Sequence, residues 1–379
     1  MPKYKFSEIA YNINQKKMPE PGDEEMYIGL EHLDSGSLKV KRWGSDVPIT
    51  GEKLVMKKGD ILFGRRNTYL RRAAIAPHNG IFSAHGMIFR PNTAVMDPDY
   101  FPFFIASDYF MNAAIRISVG SLSPTVNWKT LKDLEFVIPD LDSQRKSAAI
   151  LTVANQLKES YETLLIQTDE LVKSQFIEMF GDLADNPKGY ELKPLSELLL
   201  IERGGSPRPI SDYVTEAEDG VNWIKIGDAD EGSVYITHTK EKIKPEGTKK
   251  SRYVQPGDFL LSNSMSFGRP YILTIDGYIH DGWLVLRDKN NRFDKMFLYA
   301  MLSSSYAVSS FESMAAGSVV KNLNKELVGN LSVPVPPIEE QKQYAEFMHQ
   351  ADKSKFEIKK SIENISELIK SLMQQDFTN

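Results

Sequence analysis

The sequence contains no cysteine among its 379 residues. Disulfide bonds, thiol catalysis and cysteine-ligated zinc sites are therefore excluded. The six histidines show no HExxH or similar ligand spacing, so no metal site is predicted. No apolar run approaches the ~18 residues that a membrane-spanning helix needs. The start of the sequence, MPKYKFSEIAYNINQKK, lacks the apolar segment of a signal peptide. We expect a soluble, cytoplasmic protein without a membrane segment.

Complete catalytic motifs are also missing. Asp97-Pro98-Asp99-Tyr100 resembles the Asp-Pro-Pro-Tyr motif of adenine methylation but lacks its second proline, and no glycine-rich cofactor loop precedes it. We interpret it as a turn. Gly59 and Gly64 have the spacing of a phosphate loop, but Arg65-Arg66 stands where Lys-Ser/Thr is required. A Ser/His/Asp site is not excluded, although nothing indicates one. The chain is predicted to have no catalytic residues of its own.

The overall charge is mildly acidic, with a formal net charge of −5. A free-standing nucleic-acid-binding protein is usually basic, so this balance argues mildly against one. It is compatible with a local basic face and with acidic surfaces that contact protein partners. The hydrophobic fraction of 41% is sufficient for packed cores, and the length suits two or three domains.

An internal repeat determines the predicted architecture. Short segments recur at offsets of 196 to 198 residues along the chain. The matched pairs are Tyr27 and Trp223, Gly59-Asp60 and Gly257-Asp258, Gly120-Ser121 and Gly317-Ser318, Asn127 and Asn324, Ile138-Pro139 and Val335-Pro336, Gln144 and Gln341, and Leu171–Ser174 and Leu368–Ser371. The chain is therefore predicted to contain two copies of one unit, related by a pseudo-twofold axis.

Each copy ends in a long helical stretch. Residues 150–180 contain neither glycine nor proline, and Gly181 follows as a suitable helix end. Apolar steps of three and four residues predict one stripe on each helix. A single stripe would equally fit an ordinary core helix, and its recurrence in both copies favours two antiparallel helices that pack along a seam. The predicted seam residues are Ile150, Ala154, Leu157, Tyr161, Leu164 and Leu171 on the first helix, and Ile358, Ile362, Ile365, Ile369 and Leu372 on the second.

The predicted fold class is α/β (α+β), with two similar β-rich modules separated by the two long helices. Short apolar runs bounded by turn residues indicate the strands of each module. The first module is assigned to residues 1–139 and the first helix to 140–180. The second module is assigned to residues 181–337 and the second helix to 338–379.

A basic loop follows a predicted strand of the first module. Residues 64–72 include four arginines, an asparagine and a tyrosine, without an acidic residue. Arginine pairs bidentately with guanine or phosphate and asparagine suits adenine, so the loop is a candidate DNA-contacting surface. A solvated charged loop is the alternative for any single arginine. The candidates in this module are Lys39, Lys41, Arg42, Arg65, Arg66, Asn67, Tyr69, Arg71, Arg72 and Ser121.

The second module has matching scaffold residues and different loops. Where the first copy has Arg65–Thr68, the second has Asn263–Ser266, so two related modules would read two different short sequences. The second copy also carries seven extra residues around Arg203–Arg208. They are predicted to form a flexible basic loop that acts as a clamp on the DNA backbone. The candidates in this module are Arg203, Ser206, Arg208, Lys249, Lys250, Arg252, Asn263, Ser264, Ser266, Phe267, Arg269, Ser318 and Lys321.

Several of these segments resemble one family, and the resemblance covers essentially the whole chain. They are Trp223–Ile226 with its Gly-Asp neighbour, Gly257–Leu260, Gly317-Ser318 with Asn324, and Val335–Gln341 at the start of a helix, which the first copy has in altered form as Ile138–Gln144. The layout resembles the specificity subunit of Type I restriction-modification systems.

The resemblance implies two target recognition domains, each of which reads one half of a bipartite, asymmetric site in double-stranded DNA. It implies that the helical pair docks two methyltransferase subunits that carry S-adenosylmethionine, with motor and nuclease subunits joining for restriction, and that this chain binds no cofactor. Two alternatives remain open: a fused or degenerate methyltransferase or nuclease, and a coiled-coil scaffold without base readout.

Overall fold

The structure, a computed structural model, describes residues 1–230, 232–263, 268–315 and 322–378. The chain divides into two compact units. The first unit comprises Met1–Leu164 and Glu357–Asn379, and the second comprises Leu165–Phe356. Each of the two long helices therefore contributes one part to each unit. Within the described ranges, no helix is both long and apolar enough to cross a membrane.

The first unit is built on short strands. They are β1 (Lys3–Lys5), β2 (Ala10–Ile13), β3 (Lys16–Lys17), β4 (Tyr27–Ile28), β5 (Lys53–Met56), β6 (Ile61–Phe63), β7 (Ala73–Ile75), β8 (Gly80–Phe82), β9 (Met87–Pro91) and β10 (Glu135–Val137). They form two four-stranded sheets, β2-β9-β6-β7 and β3-β5-β8-β4, and a β1-β10 pair. β4 and β8 are parallel, whereas the other pairs of this unit are antiparallel.

Successive side chains of the central strands pack into two different cores. In β6, Ile61 and Phe63 belong to one core and Leu62 to the other, and in β9 the neighbours Ile88 and Phe89 are divided in the same way. This is the two-residue period of a strand whose faces are both covered. The loop that follows β6 is therefore held at a strand buried on both faces.

Short helices complete the first core. They are α1 (Phe6–Ile9), α2 (Phe101–Ala106), α3 (Asp108–Arg116) and α4 (Trp128–Leu131). Phe6 lies at the centre of an aromatic cluster, 5.2 Å from the ring of Phe89 and 5.1 Å from that of Phe110. The Ser107 hydroxyl accepts a hydrogen bond from the Phe110 N–H at 3.2 Å and caps α3, so the serine fixes where this helix begins.

The second unit has the same arrangement, but each of its two main sheets has five strands instead of four. Its strands are β11 (Leu192–Pro194), β12 (Leu199–Arg203), β13 (Val214–Thr215), β14 (Val221–Ile224), β15 (Tyr235–Ile236), β16 (Glu241–Ile243), β17 (Arg252–Val254), β18 (Phe259–Ser262), β19 (Pro270–Leu273), β20 (Gly277–Ile279), β21 (Trp283–Asp288) and β22 (Ser332–Pro334). They form the sheets β12-β21-β18-β19-β15 and β13-β16-β14-β20-β17, with β11 paired to β22. In β18, Phe259 and Leu261 face one core and Leu260 the other, as in β6. The helices are α6 (Leu195–Leu198), α7 (Lys295–Leu302), α8 (Ser305–Ala315) and α9 (Lys325–Gly329).

The internal repeat is confirmed by two buried glutamines. Gln144 accepts a hydrogen bond from the Asp97 N–H at 2.7 Å and donates to the carbonyls of Val95 and Pro139. Gln341, 197 residues later, makes the equivalent bonds to Asp294, Arg292 and Pro336. In each copy the amide joins the start of a long helix to a turn of its module. In the first copy that turn is Asp97–Tyr100, which confirms its interpretation as a turn.

An aspartate–arginine ion pair also occurs at the same place in both copies. Asp60, at the turn before β6, accepts two hydrogen bonds from the guanidinium of Arg90. Asp258, before β18, accepts two from Arg287, at 2.9 and 2.6 Å. Both aspartates are buried. The Asp258 carboxylate raises the pKa of Arg287 further above its ordinary value, although burial acts against this. The Gly-Asp segments that mark the repeat in the sequence are therefore anchors between neighbouring strands.

The two long helices are α5 (Leu141–Phe180) and α10 (Ile338–Thr378), and they are antiparallel within the second unit. In the second unit the Lys355 ammonium lies 3.1 Å from Asp169, and the Tyr344 hydroxyl donates to the Val172 carbonyl at 3.4 Å. The positions therefore rise along α5 as they fall along α10. The first helix ends at Gly181, whose φ of 79° is left-handed, as predicted.

The predicted seam of the first helix is wrong at its heptad positions. Ile150, Leu157, Leu164 and Leu171 are 44% to 55% exposed, whereas Leu151 is fully buried. The other predicted seam residues lie in or near the packed face: Ala154 and Ile358 are buried, Tyr161, Ile362 and Ile365 are half-buried, and Ile369 and Leu372 pack against the core of the first unit.

The module cores explain this difference. Leu151 belongs to the core of the first unit, and Phe176 and Phe180 belong to the core of the second. Each helix therefore packs against a module as well as against the other helix. Because the largest buried side chains set its rotation, the heptad positions face outward.

The corrected seam predicts unequal effects for two identical substitutions. Leu151→Ala is expected to lower the free energy of unfolding by about 2–5 kcal/mol, because it leaves a cavity in a packed core. Leu157→Ala removes the same atoms from an exposed position and is expected to change it by less than about 0.5 kcal/mol. Urea denaturation of the two variants measures both values. Equal losses of unfolding free energy in the two variants would support the heptad positions as the seam after all.

Candidate nucleic-acid interface

The basic loop of the first unit, residues 64–72, joins β6 to β7 by a tightly fixed path. Asn67 and Arg71 have φ values of 54° and 50° and flank the 3-10 turn Thr68–Leu70. Thr68 is buried, and its hydroxyl donates to the Arg65 carbonyl at 2.8 Å. The turn exposes Tyr69 at its tip. The loop is therefore a preformed projection with an exposed aromatic side chain.

A second loop, residues 117–126, lies directly beside it. The Arg65 carbonyl accepts a hydrogen bond from the Val126 N–H at 3.0 Å, and the Asn67 N–H donates to the Pro124 carbonyl at 2.7 Å. The Arg66 guanidinium donates to the Ser123 hydroxyl at 3.3 Å. The structure thus brings the small-residue loop that contains Ser121 next to the basic loop.

Leu122, at the tip of the second loop, is 94% exposed. This residue was not among those predicted from the sequence. Its only signal was an apolar side chain within a run of glycine and serine, which is an unusual place for a leucine. With Arg66 and Tyr69 it gives the paired loops cationic, aromatic and apolar exposed groups.

The four arginines of the basic loop have different environments. Arg71 pairs with Asp108 and donates to Asn112, and Arg72 donates to the Leu30 carbonyl at 3.0 Å. Burial lowers the pKa of Arg72. These two arginines hold the loop against its own unit, which the sequence pattern did not distinguish from a free surface. Arg66 is the exposed one.

The loop also contains buried polar atoms without a hydrogen-bond partner. They are the Nε atoms of Arg65 and Arg72 and the Oδ1 atom of Asn67. Buried polar atoms are nearly always paired, so each such atom requires an explanation. Three of them in one nine-residue loop indicate hydrogen-bonding capacity that the chain itself does not use.

The second basic patch of this unit is largely neutralised. Lys39 and Lys41 lie 3.3 and 3.2 Å from Glu159 and Glu162 of the first long helix. Arg42 lies 2.8 Å from Asp34, and its guanidinium lowers the pKa of that carboxyl. These contacts tie the segment to its own unit. The assignment of Lys39, Lys41 and Arg42 to a second, weaker DNA-contacting patch stays a prediction.

In the second unit, the extra residues converge on Asp281. The Arg203 Nε atom donates to the Asp281 carbonyl at 3.1 Å, the Ser206 hydroxyl donates to Oδ1 at 2.6 Å, and Arg208 lies 3.3 Å from Oδ2. A Cβ atom on Gly205 would lie 2.4 Å from the Lys250 carbonyl oxygen, so only glycine allows this close approach. The predicted clamp is a closed loop beside Lys249 and Lys250.

Ser206, Asp281 and His280 lie together without forming a nucleophilic site. The Ser206 hydroxyl donates to the carboxylate, and the His280 Nε2 atom accepts from the Ile226 N–H at 3.0 Å. A serine nucleophile needs a hydrogen bond from its hydroxyl to the imidazole that acts as the base. Burial lowers the pKa of His280 despite the neighbouring carboxylate. Among the described residues, no group of three or more His, Cys, Asp or Glu side chains has a geometry that could hold a metal ion.

The clamp gives a pKa prediction. The Ser206 hydroxyl holds the pKa of Asp281 below its ordinary value, although burial acts to raise it. Ser206→Ala is therefore expected to raise the pKa of Asp281. On acidification the Asp281 carboxylate would then be protonated, and its ion pair with Arg208 lost, at a higher pH than in the native chain. An NMR titration of the side-chain carboxyl measures the pKa. Ser211→Ala, on a nearby exposed residue, is the control, and an unchanged pKa in Ser206→Ala would contradict the assignment.

The other candidates of the second unit differ in availability. Asn263 is buried, and its side-chain amide donates to the Asp281 carbonyl at 2.7 Å, so this side chain is not available for base contact; this corrects the prediction. Arg252 lies 3.3 Å from Glu202. The Arg269 guanidinium lies 5.7 Å from the centre of the Tyr271 ring. The candidates Ser264, Ser266, Phe267, Ser318 and Lys321 lie outside the described residues.

The chain resembles known proteins over nearly its whole length. A putative type I restriction enzyme MjaX specificity subunit from Methanocaldococcus jannaschii is 25% identical over 373 residues, which cover 90% of this chain and 85% of that protein. The MjaVIII specificity subunit from the same organism is 22% identical over 397 residues, covering 95% and 88%.

Solved structures share the fold. The S subunit of a Type I restriction-modification system from M. genitalium superimposes with a TM-score of 0.59 at 15% identity, covering 100% of this chain and 96% of that one. A chain from a study of complex assembly and conformational transition of the type I restriction-modification system gives a TM-score of 0.64 at 20% identity, covering 99% and 97%.

The family model for the Type I restriction modification DNA specificity domain matches residues 6–167 and, a second time, residues 187–367. The two matches correspond to the two copies of the repeat and extend into both long helices. The chain therefore belongs to the family of Type I restriction-modification specificity proteins and contains two DNA specificity domains.

Proposed function

We propose that each specificity domain reads one half of a bipartite, asymmetric site in double-stranded DNA. The main support is the paired-loop surface of the first unit, where Arg66, Tyr69 and Leu122 project beside buried polar atoms that lack partners. Arginine reads guanine and phosphate, and apolar side chains contact the thymine methyl group. The residues at the same offset differ in the second copy, which has Ser264 in place of Arg66 and Phe267 in place of Tyr69. Two similar scaffolds with different loops suit an asymmetric site.

The long helices are the proposed docking surface for two methyltransferase subunits. In the first unit, Ile150, Val153, Leu157 and Leu164 are exposed and lie on one side of the helix. Exposed apolar side chains arranged in this way favour contact with a helix of a partner. Leu171 continues the spacing of seven in the second unit. The heptad pattern of the sequence would then describe an external contact instead of the internal seam.

The chemistry is assigned to partner subunits. We expect this chain to have no catalytic activity and no cofactor for methylation, with S-adenosylmethionine on the methyltransferase subunits and motor and nuclease subunits joining for restriction. The cytoplasm is the expected compartment. DNA cleavage or S-adenosylmethionine binding by the purified chain alone would favour a fused or degenerate enzyme instead.

The test is reconstitution of the chain with the methyltransferase subunits of its host. The complex should methylate adenines in genomic DNA at one bipartite motif, whose two halves are separated by a constant number of base pairs. Exchange of residues 64–72 for those of another specificity protein should change one half of the motif only. Methylation without any sequence preference would leave the chain as an assembly scaffold.

A further inference from the structure

The first unit contains a cavity of about 770 Å³ that the proposed function does not use. It lies between the turn at Ser35–Leu38, helix α3 and the parts of both long helices that belong to this unit. Its volume falls in the range of sites for small organic ligands. Phe103, Ile369 and Met373 form an apolar part of its wall.

The charged lining of this cavity is unbalanced. Arg71, Arg116, Lys158 and Lys370 line it, with Asp108 as the acidic lining residue. Asp108 already pairs with Arg71 and lies 3.3 Å from Lys370. In the part of the chain that the structure describes, neither Arg116 nor Lys158 forms an ion pair. The cavity therefore presents cations whose charge the chain does not compensate.

The second copy shows how the same position is neutralised. Lys355 corresponds to Lys158 at the offset of 197 that relates Gln341 to Gln144. Lys355 lies 3.1 Å from Asp169 and 2.9 Å from Asp352. At the same offset, the positions of these two aspartates are occupied in the first unit by Ser366 and Asn155, which both line the cavity. The second copy therefore pairs its lysine with two carboxylates, and the first copy has neutral side chains at both positions.

Helix α3 shows a matching change. The Ser107 cap corresponds to Ser304, because each hydroxyl donates to the carbonyl three residues before it. Counting from these caps, Arg116 corresponds to Ser313. The first copy therefore has an additional cation beside the cavity where the second has a neutral side chain. By the same count Asp108 corresponds to Ser305, but this added carboxylate is already paired with Arg71 and Lys370, so the charge of Arg116 and Lys158 is not offset by it.

We propose that this cavity binds a small phosphorylated ligand of nucleotide size. Its phosphate would contact Lys158 and Arg116 and supply the negative charge that Asp169 and Asp352 supply in the other copy. The planar guanidinium and the ammonium are the usual partners of phosphate. The organic part of the ligand would lie against Ile369 and Met373. Such a ligand would join the module to both long helices and stabilise the first unit.

Calorimetry and thermal unfolding of the full chain test this proposal with pyrophosphate, AMP and ATP as probes. At least one nucleotide is expected to bind more tightly than pyrophosphate and to raise the melting temperature. Ser366→Asp places a carboxylate opposite Lys158, as Asp169 lies opposite Lys355, and is expected to weaken nucleotide binding at least tenfold, consistent with a new ion pair worth about 1.4 kcal/mol or more. The variant should remain folded because the other copy accommodates the same pair.

Ser371→Asp, an exposed position on the same helix, is the matched control and should bind the nucleotide as the native chain does. Lys158→Met should lose binding as Ser366→Asp does. Failure of every probe to bind at millimolar concentration would overturn the proposal, as would equal losses in the Ser366 and Ser371 variants. If Ser366→Asp leaves nucleotide binding intact but abolishes DNA binding by the assembled complex, the cavity takes a DNA phosphate and the proposal is wrong. The methylation motif of the complex tests the proposed function separately.

Discussion

Replacement of Arg66 by alanine is expected to weaken DNA binding by the assembled complex by about 1–3 kcal/mol, or about 5- to 150-fold, for the half-site that the first unit reads. Arg66 is the exposed arginine of the basic loop, and its guanidinium lies beside the Ser123 hydroxyl. The loop would keep its shape, because Arg71 and Arg72 anchor it from within the unit. The loss would therefore report a missing contact, not an unfolded loop. Equilibrium binding to DNA with one altered half-site measures it.

The salt dependence of binding distinguishes the two kinds of contact. Loss of a phosphate contact weakens binding to all sequences and reduces the slope of log K against log salt by about 1. Loss of a base contact removes discrimination at one position of the motif and leaves the slope nearly unchanged. Arg145→Ala is the charge-matched control, because Arg145 is exposed and its partners are Asp142 and Asp97 at the start of the first long helix. Equal effects of Arg66→Ala and Arg145→Ala would argue against a specific interface.

Replacement of Asp258 by alanine is expected to lower the free energy of unfolding by about 3–5 kcal/mol. Asp258 is buried before β18, accepts two hydrogen bonds from Arg287 and also accepts one from the Gln255 N–H at 3.0 Å. Without the carboxylate, the partly buried guanidinium loses its closest partner. Arginine is not deprotonated in proteins, so the guanidinium remains charged in the variant. The free energy of unfolding of the second unit, from chemical denaturation, measures the loss.

A surface pair gives the control for this experiment. Glu339 lies 3.0 Å from Lys342 at the start of the second long helix, and both side chains are exposed. Exposed pairs of this kind contribute about 0–1 kcal/mol, so Glu339→Ala should have little effect. A loss below about 1 kcal/mol for Asp258→Ala would mean that the repeated aspartate is not a structural anchor. The equivalent substitution Asp60→Ala should then be mild as well.

The repeat separates the conserved frame of each copy from its variable surface. Gln144 and Gln341 make the same three hydrogen bonds, and Asp60 and Asp258 make the same ion pair. By contrast, Arg66 and Ser264 occur at the same offset in the sequence and differ in chemistry. Buried polar contacts therefore hold the scaffold in both copies, whereas the residue type at the position of the exposed Arg66 differs between them.

Much of the architecture could be predicted from the amino-acid sequence. Matching segments at one offset indicated the two copies, since a duplicated fold repeats its turns and buried anchors at fixed positions. Long stretches without glycine or proline indicated the two helices, and Gly181 indicated where the first of them ends. The absence of cysteine excluded thiol and disulfide chemistry. These features depend on local propensity and spacing, which one sequence records.

Tertiary packing decided which side of a helix is buried and which arginines are available. Leu151, not the heptad leucine Leu157, faces the core, because the modules as well as the partner helix contact α5. Arg71 and Arg72 find partners on α3 and near β4, far away in the sequence. Leu122 is exposed at the tip of one of two paired loops, and Lys158 lines a cavity without an ion pair among the described residues. Each outcome depends on neighbours brought together only by folding, which no local pattern in the sequence specifies.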